Sequence, residues 1–200
     1  MISQAELLSR LRAITTVVLD VDGVLTDGGI FIGPGGAEWK RFDVQDGSGI
    51  VYLRRAGLRV AIISGRTAEV VDVRARELEV SDVYQGYKWK LDALHALAAK
   101  YGLRGEQICC LGDDLPDLPL MGAVGVSIAV ANARPEVQKV AHYVTQARGG
   151  AGAVREAAEL ILRAQGKWNM ILSRYLFAVP AVGGDTHNGV CAERDPLAPT

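Results

Sequence analysis

Nowhere does this chain carry the ~20 consecutive apolar residues that a membrane-spanning helix needs, which speaks against a membrane span. It has no basic run either. Its 22 Lys and Arg nearly balance its 23 Asp and Glu, for a net charge of −1. That balance speaks against nucleic acid or an anionic membrane as the main partner. Cysteine is scarce: Cys109, Cys110 and Cys191. The first two are adjacent on an expected buried strand and give neither a disulfide framework nor a zinc spacing, so a reducing, cytoplasmic setting fits best. Residues 1–12 include Glu6 and no long apolar core, unlike a signal peptide. Internal repeats and low-complexity segments are also missing. What is there is an ordinary globular composition, 49% apolar and 22% charged, in 200 residues, enough for one domain with a sizeable core.

Strand and helix patterns alternate almost throughout. Strands are expected at 15–19, 59–63, 82–84, 107–111, 125–128 and 143–145. Helices are expected at 49–56, 67–78, 88–101, 115–124, 135–140 and 153–164. Such alternation predicts an α/β fold, a doubly wound, Rossmann-like parallel sheet with helices on both faces. One interval breaks it. Residues 29–42 read as Ile-Phe-Ile, a Gly-Pro-Gly-Gly turn, then Glu-Trp-Lys-Arg-Phe, which predicts a β-hairpin inserted after the first strand. Residues 168–200 are expected to be a flexible tail, leaving 1–167 as the single folded domain.

Chemistry concentrates at the expected strand ends, where open α/β sheets bind ligands. The first strand runs into Asp20-Val21-Asp22-Gly23-Val24-Leu25-Thr26-Asp27-Gly28. Two carboxylates so close are costly unless a cation or a proton relieves them. The second strand ends in Ser64-Gly65-Arg66, and a later one in Gly112-Asp113-Asp114-Leu115-Pro116-Asp117. Lys90 stands where a helix begins. Carboxylates for a hard cation, a hydroxyl and an ammonium on one edge are the groups that bind and move a phosphoryl group.

These four motifs, in this order, resemble the haloacid dehalogenase-type phosphatases. Residues 20–49, 84–94 and 112–117, with Asp43-Val44-Gln45-Asp46-Gly47 and Ala164-Gln165-Gly166-Lys167, are similar to the capless, tetrameric branch that acts on 3-deoxy-D-manno-octulosonate 8-phosphate. The resemblance implies that Asp20 is the nucleophile and forms an aspartyl-phosphate. It implies Asp22 as general acid and base, with Ser64 and Lys90 on the phosphoryl oxygens. Magnesium (Mg2+) would bind Asp20, Asp113 and the backbone carbonyl of Asp22. Asp114 would orient Lys90 or the metal's waters. Asp22 and Lys90 would touch the substrate, while Asp43, Val44, Gln45, Asp46, Gly47, Arg66 and Arg74 would contact the sugar acid. An arginine suits the substrate's carboxylate. The intervals 28–64 and 64–90 leave no room for a cap domain, so the family's shelter, a homotetramer whose hairpins pack together, is implied for the apolar Ile30, Phe31, Ile32 and Trp39. The implied pathway supplies the inner sugar of Gram-negative lipopolysaccharide.

Other readings stand beside these. Taken alone, Lys90 and Arg74 read as solvated helix residues, Ser64 as a helix cap, and Asp27 as a turn residue. Asp46 also reads as a cap for a helix near Gly49, and Asp114 and Asp117 as first-turn residues favoured by the helix dipole. His95, His142, Trp89 and Trp168 read as packing or surface residues. Two positions depart from the family pattern: Ala151 and Val51 stand where arginine is found. The related branch acting on a nine-carbon sugar 9-phosphate carries glutamate at the position of Arg66, so arginine favours the eight-carbon ester. The alternatives are that nine-carbon activity, a signalling receiver domain, and a catalytically silent oligomerisation module.

Overall fold

The structure is a computed structural model and describes residues 2–176. Six strands form one parallel sheet: β1 (Thr16–Leu19), β4 (Arg59–Ile63), β5 (Asp82–Tyr84), β6 (Ile108–Gly112), β7 (Val126–Ala129) and β8 (Tyr143–Val144). Their spatial order is β5-β4-β1-β6-β7-β8. The strands β1, β6 and β7 are buried along their whole length, as the β-branched, apolar sequence requires of a sheet covered on both faces. The chain builds outward from β1 in one direction, then returns to β6 and builds in the other. Register places Leu19 of β1 opposite both Ile62 and Leu111. The residues just beyond β1, β4 and β6 therefore emerge side by side at the switch point, where ligands bind.

Among the described residues eight helices flank the sheet: α1 (Gln4–Ala13), α2 (Val44–Arg55), α3 (Glu69–Glu77), α4 (Lys90–Tyr101), α5 (Leu118–Ala123), α6 (Pro135–Val140), α7 (Ala153–Ala164) and α8 (Trp168–Leu176). Helices α1, α2 and α8 pack on α7, while α4 and α6 pack on α5. The expected hairpin is present: β2 (Phe31–Ile32) pairs antiparallel with β3 (Glu38–Trp39). No cap domain interrupts the chain among the described residues.

Four expectations need correction. Helix α2 starts at Val44, not near Gly49, because Asp43 caps it: its carboxylate accepts from the backbone N–H of Gln45 at 2.7 Å and Asp46 at 3.1 Å. The helix expected at 115–124 is a 3-10 turn, Leu115–Asp117, followed by α5; Pro119 removes the amide donor that a continuous helix would use to reach the Leu115 carbonyl. Residues 4–13, given no element above, form α1, which buries Leu7 and Leu11 and is capped by Ser3. The folded part does not stop at Lys167. Helix α8 buries Trp168 and Ile171, and the guanidiniums of Arg155 and Arg163 lie over the Trp168 ring at 5.6 and 5.0 Å. The rest of the expected tail, 177–200 with Cys191, lies outside the described residues.

Candidate active site

Asp20 leaves β1 buried, at the centre of the sheet edge. The chain then makes a wide turn over Val21–Leu25, closed by Thr26 N–H donating to the Val21 carbonyl at 3.0 Å. Gly23 takes φ of 100°, and a Cβ there would run into the Asp113 carboxylate. Glycine after Asp22 is thus what lets the loops beyond β1 and β6 close on each other.

Lys90, the first residue of α4, points its ammonium into the gap. Its Nζ donates to Asp20 Oδ1 and to Asp117 Oδ1, each at 2.6 Å, and all three side chains are buried. The other oxygen of Asp117 accepts from the backbone N–H of Asp113 at 3.0 Å and of Asp114 at 3.3 Å. Asp117 therefore aims Lys90 and shapes the Asp113 loop together. Asp114, expected to orient Lys90 or the metal's waters, does not meet Lys90: it accepts from Leu115 N–H at 2.8 Å and is exposed. Sequence reasoning had Asp117 only as a first-turn residue.

Oxygens of Asp20, Asp113 and Asp117 all lie within 4.8 Å of one another. One ammonium faces three carboxylates, so ionisation of all leaves two negative charges without a partner. The pKa values record the strain. Burial, then the charge of Asp117, pushes Asp20 up to about 8 despite the lowering by Lys90. Burial, then Asp117, pushes Asp113 up to about 6. Lys90 is raised, because Asp20 and Asp117 together outweigh its burial. Asp113 Oδ1 is buried with no hydrogen-bond partner. A buried, unpartnered carboxylate oxygen and a deficit of two positive charges fit a small divalent cation with oxygen ligands. Asp117 joins the cluster, but its oxygens are occupied by Lys90 and backbone amides, so Asp20 and Asp113 are the side chains that could hold such an ion.

Ser64 ends β4 buried; its Oγ accepts from Arg66 N–H at 3.2 Å. The Asp22 carboxylate does not reach into the cluster. It pairs with Lys40 through Oδ1 and lies 3.7 Å from Arg66 Nε through Oδ2. Lys40 and Glu38, both from the hairpin, were not singled out from the sequence; nothing in a strand's alternation marks a lysine that folds inward.

The expected sugar-contacting residues form a second group. Arg74 donates to the Asp43 carbonyl at 3.3 Å and abuts Gly47, where a Cβ would strike its guanidinium. Val44 and Gln45 are exposed beside them. Asp46 does something else. It is buried within α2, and its carboxylate accepts from Gly152 N–H at 3.2 Å and Arg155 N–H at 2.9 Å. It thus caps α7 across the helix interface rather than its own helix.

A family model described as haloacid dehalogenase-like hydrolase matches residues 77–156. The 3-deoxy-D-manno-octulosonate 8-phosphate phosphatase of Yersinia pestis is 46% identical over 162 residues, which cover 81% of this chain and 87% of that protein. The chain belongs to this phosphatase family. The Escherichia coli K12 member is 45% identical over 163 residues, 82% of this chain and 87% of that one. Solved structures of the family superpose on the fold. The Yersinia pestis phosphatase gives a TM-score of 0.81, covering 82% of this chain and 89% of that one. The Moraxella catarrhalis phosphatase, solved in complex with a magnesium ion, a phosphate ion and KDO, gives 0.84 at 40% identity, covering 86% of this chain and 99% of that one. The phosphatase family accounts for an α/β fold with a parallel sheet and an acidic cluster beyond β1 and β6.

Proposed function

We propose that this chain is a magnesium-dependent phosphatase of 3-deoxy-D-manno-octulosonate 8-phosphate. The observation that carries the reading is the meeting of buried Asp20 and Lys90 with half-buried Asp113 at the switch point of the sheet, in a chain 46% identical to a phosphatase of that name.

An oxygen of Asp20 attacks phosphorus, and the bond from phosphorus to the sugar oxygen breaks. Asp22 gives its proton to the departing alkoxide. Asp22 then takes a proton from water, the water oxygen attacks phosphorus, and the aspartyl-phosphate bond breaks to release inorganic phosphate. Lys90 and the Ser64 hydroxyl bind the phosphoryl oxygens, and Asp117 holds Lys90 at the required place. Magnesium, held by Asp20, Asp113 and the Asp22 carbonyl, would neutralise charge on the carboxylates and the phosphoryl group.

Arg66 and Arg74, with residues 43–47 other than the Asp46 carboxylate, take the acidic sugar. Arg66 is half exposed and is the cation nearest Asp22 that is free to swing toward a substrate carboxylate. Assembly as a homotetramer is supported by the hairpin, where Phe31, Ile32 and Trp39 stay 61%, 76% and 56% exposed. The cytoplasmic setting is supported by two buried free thiols, Cys109 and Cys110. Feeding lipopolysaccharide synthesis follows from the substrate.

Phosphate release from the eight-carbon and nine-carbon esters, with and without magnesium, tests the reading. Turnover of the eight-carbon ester that a chelator abolishes is expected. Turnover of the nine-carbon ester alone would reassign the substrate and keep the reaction class.

A further inference from the structure

The Asp22 carboxylate is held from two sides, by Lys40 at the hairpin and by Arg66 beyond β4. Lys40, just beyond β3, pairs with Asp22 Oδ1 and lies 2.8 Å from Glu38 Oε1, an ion pair without hydrogen-bond geometry at that oxygen. Glu38 Oε2 accepts from Arg66 Nη2 at 3.0 Å, and Arg66 returns to Asp22. The four side chains close a ring of alternating charge. Glu38 is held below the usual carboxylate range, first by Lys40 and also by Arg66, so it stays ionised within that ring.

The two cations differ in freedom. The Lys40 side chain is 1% exposed and that of Arg66 is 51% exposed. A buried ammonium between two carboxylates has nowhere better to go. An exposed guanidinium can leave for another partner with little loss. When Arg66 swings toward an acidic substrate, Lys40 is what still fixes the Asp22 carboxylate.

We propose that Lys40 is a positioning residue for proton transfer, clamping the Asp22 carboxylate toward the leaving oxygen from the hairpin side, with Glu38 anchoring the clamp. The proposal rests on the reading of Asp22 as general acid. It touches neither the nucleophile nor the phosphoryl-binding groups, so its loss should depend on the leaving group. A sugar alkoxide needs a proton as it departs; a p-nitrophenolate does not.

The test compares kcat/KM for the eight-carbon ester and for p-nitrophenyl phosphate in Lys40→Met, Lys40→Arg and Asp22→Asn. For Lys40→Met the sugar ester should lose about 10- to 100-fold and the aryl ester less than about threefold. Lys40→Arg should recover most of the loss. Glu38→Gln, which leaves the ammonium in place, should show the same selectivity more weakly and keeps the test valid where Lys40→Met fails to fold. Equal losses on both esters, or no loss on either, overturn the clamp. Failure of the acid–base reading looks different: Asp22→Asn itself then shows no selectivity between the esters. Where the wild type spares the sugar ester but cleaves another alkyl phosphate, the comparison runs on that ester.

Discussion

Three carboxylates and one ammonium share a space from which water is largely excluded, and each side chain answers for its neighbours. Burial raises Asp20 to about 8 and Asp113 to about 6. A carboxylate raised in the fold contributes stability that is full below its unfolded value, ~4, and lost as pH rises through the folded value. The protein should therefore lose this contribution between roughly pH 4 and pH 8. Protons and a divalent cation compete for the same oxygens. The rise in Tm on adding magnesium should accordingly be larger near pH 8 than near pH 6, measured by differential scanning fluorimetry; a rise independent of pH would contradict the ligand assignment. Asp117→Asn should cut kcat about 10- to 100-fold with magnesium affinity less affected, because it releases Lys90 rather than a ligand. Steady-state kinetics across a magnesium titration checks this. The cluster was partly legible in the sequence. Asp20 and Asp113 follow from their places at strand ends; Lys90, alone a solvated helix lysine, stands out only in the company of the other motifs. Asp117 was not, since a carboxylate four residues past Asp113 looks like any first-turn acid until the loop folds back and hands its amides to it.

Helices α2 and α7 are tied by a charge that their own periodicity does not announce. Asp46 was read as a cap of its own helix or a sugar contact, and instead accepts the first amides of α7. Gly49 allows the approach: a Cβ there would come within 2.9 Å of the Arg155 Cα. Burial raises Asp46 against the lowering by those amides, so the cap is held at some cost. Asp46→Ala removes that cost but leaves two part-buried N–H groups unpaired, and a net loss of about 1–2 kcal/mol is expected. Urea denaturation measures it; unchanged stability would show the cap to be idle. The loop ahead of α7 has a second role. Gly150 N–H donates to the Val24 carbonyl at 2.9 Å, and a Cβ on Gly149 would strike the Gly23 carbonyl. Gly149→Ala should displace the turn that carries Asp22 and lower kcat at least tenfold or so, since small misplacements at a reacting centre are costly. The elements themselves were legible wherever period and turn chemistry agreed: β4, β5, α6 and α7 fall where the pattern puts them. The boundaries that moved, at α2 and α5, were set by a capping carboxylate and by Pro119. Helix α8 was missed because its stability comes from Trp168 packing under two arginines, a tertiary contact with no local signature.

At the scale of the molecule, the apolar face of the hairpin has no cover among the described residues. The proposed aspartyl-phosphate needs shelter from water, and in the proposed homotetramer a second copy of the chain would supply it. Phe31→Ser combined with Trp39→Ser should yield a folded monomer by light scattering, with kcat/KM lowered roughly tenfold or more; a double variant that stays assembled would show that the hairpins are not the contact. The parallel topology was legible from alternation alone, and the meeting of β1 and β6 followed from it. What the sequence did not disclose is how the hairpin folds down onto Asp22 through Lys40. The central claim, that Asp20 carries the phosphoryl group, is tested most directly in the intact enzyme during turnover. Borohydride added to enzyme, magnesium and the eight-carbon ester should reduce the acyl-phosphate and leave homoserine at Asp20, read by peptide mass spectrometry. Phosphate release with Asp20 unmodified, or reduction at another carboxylate, would contradict it.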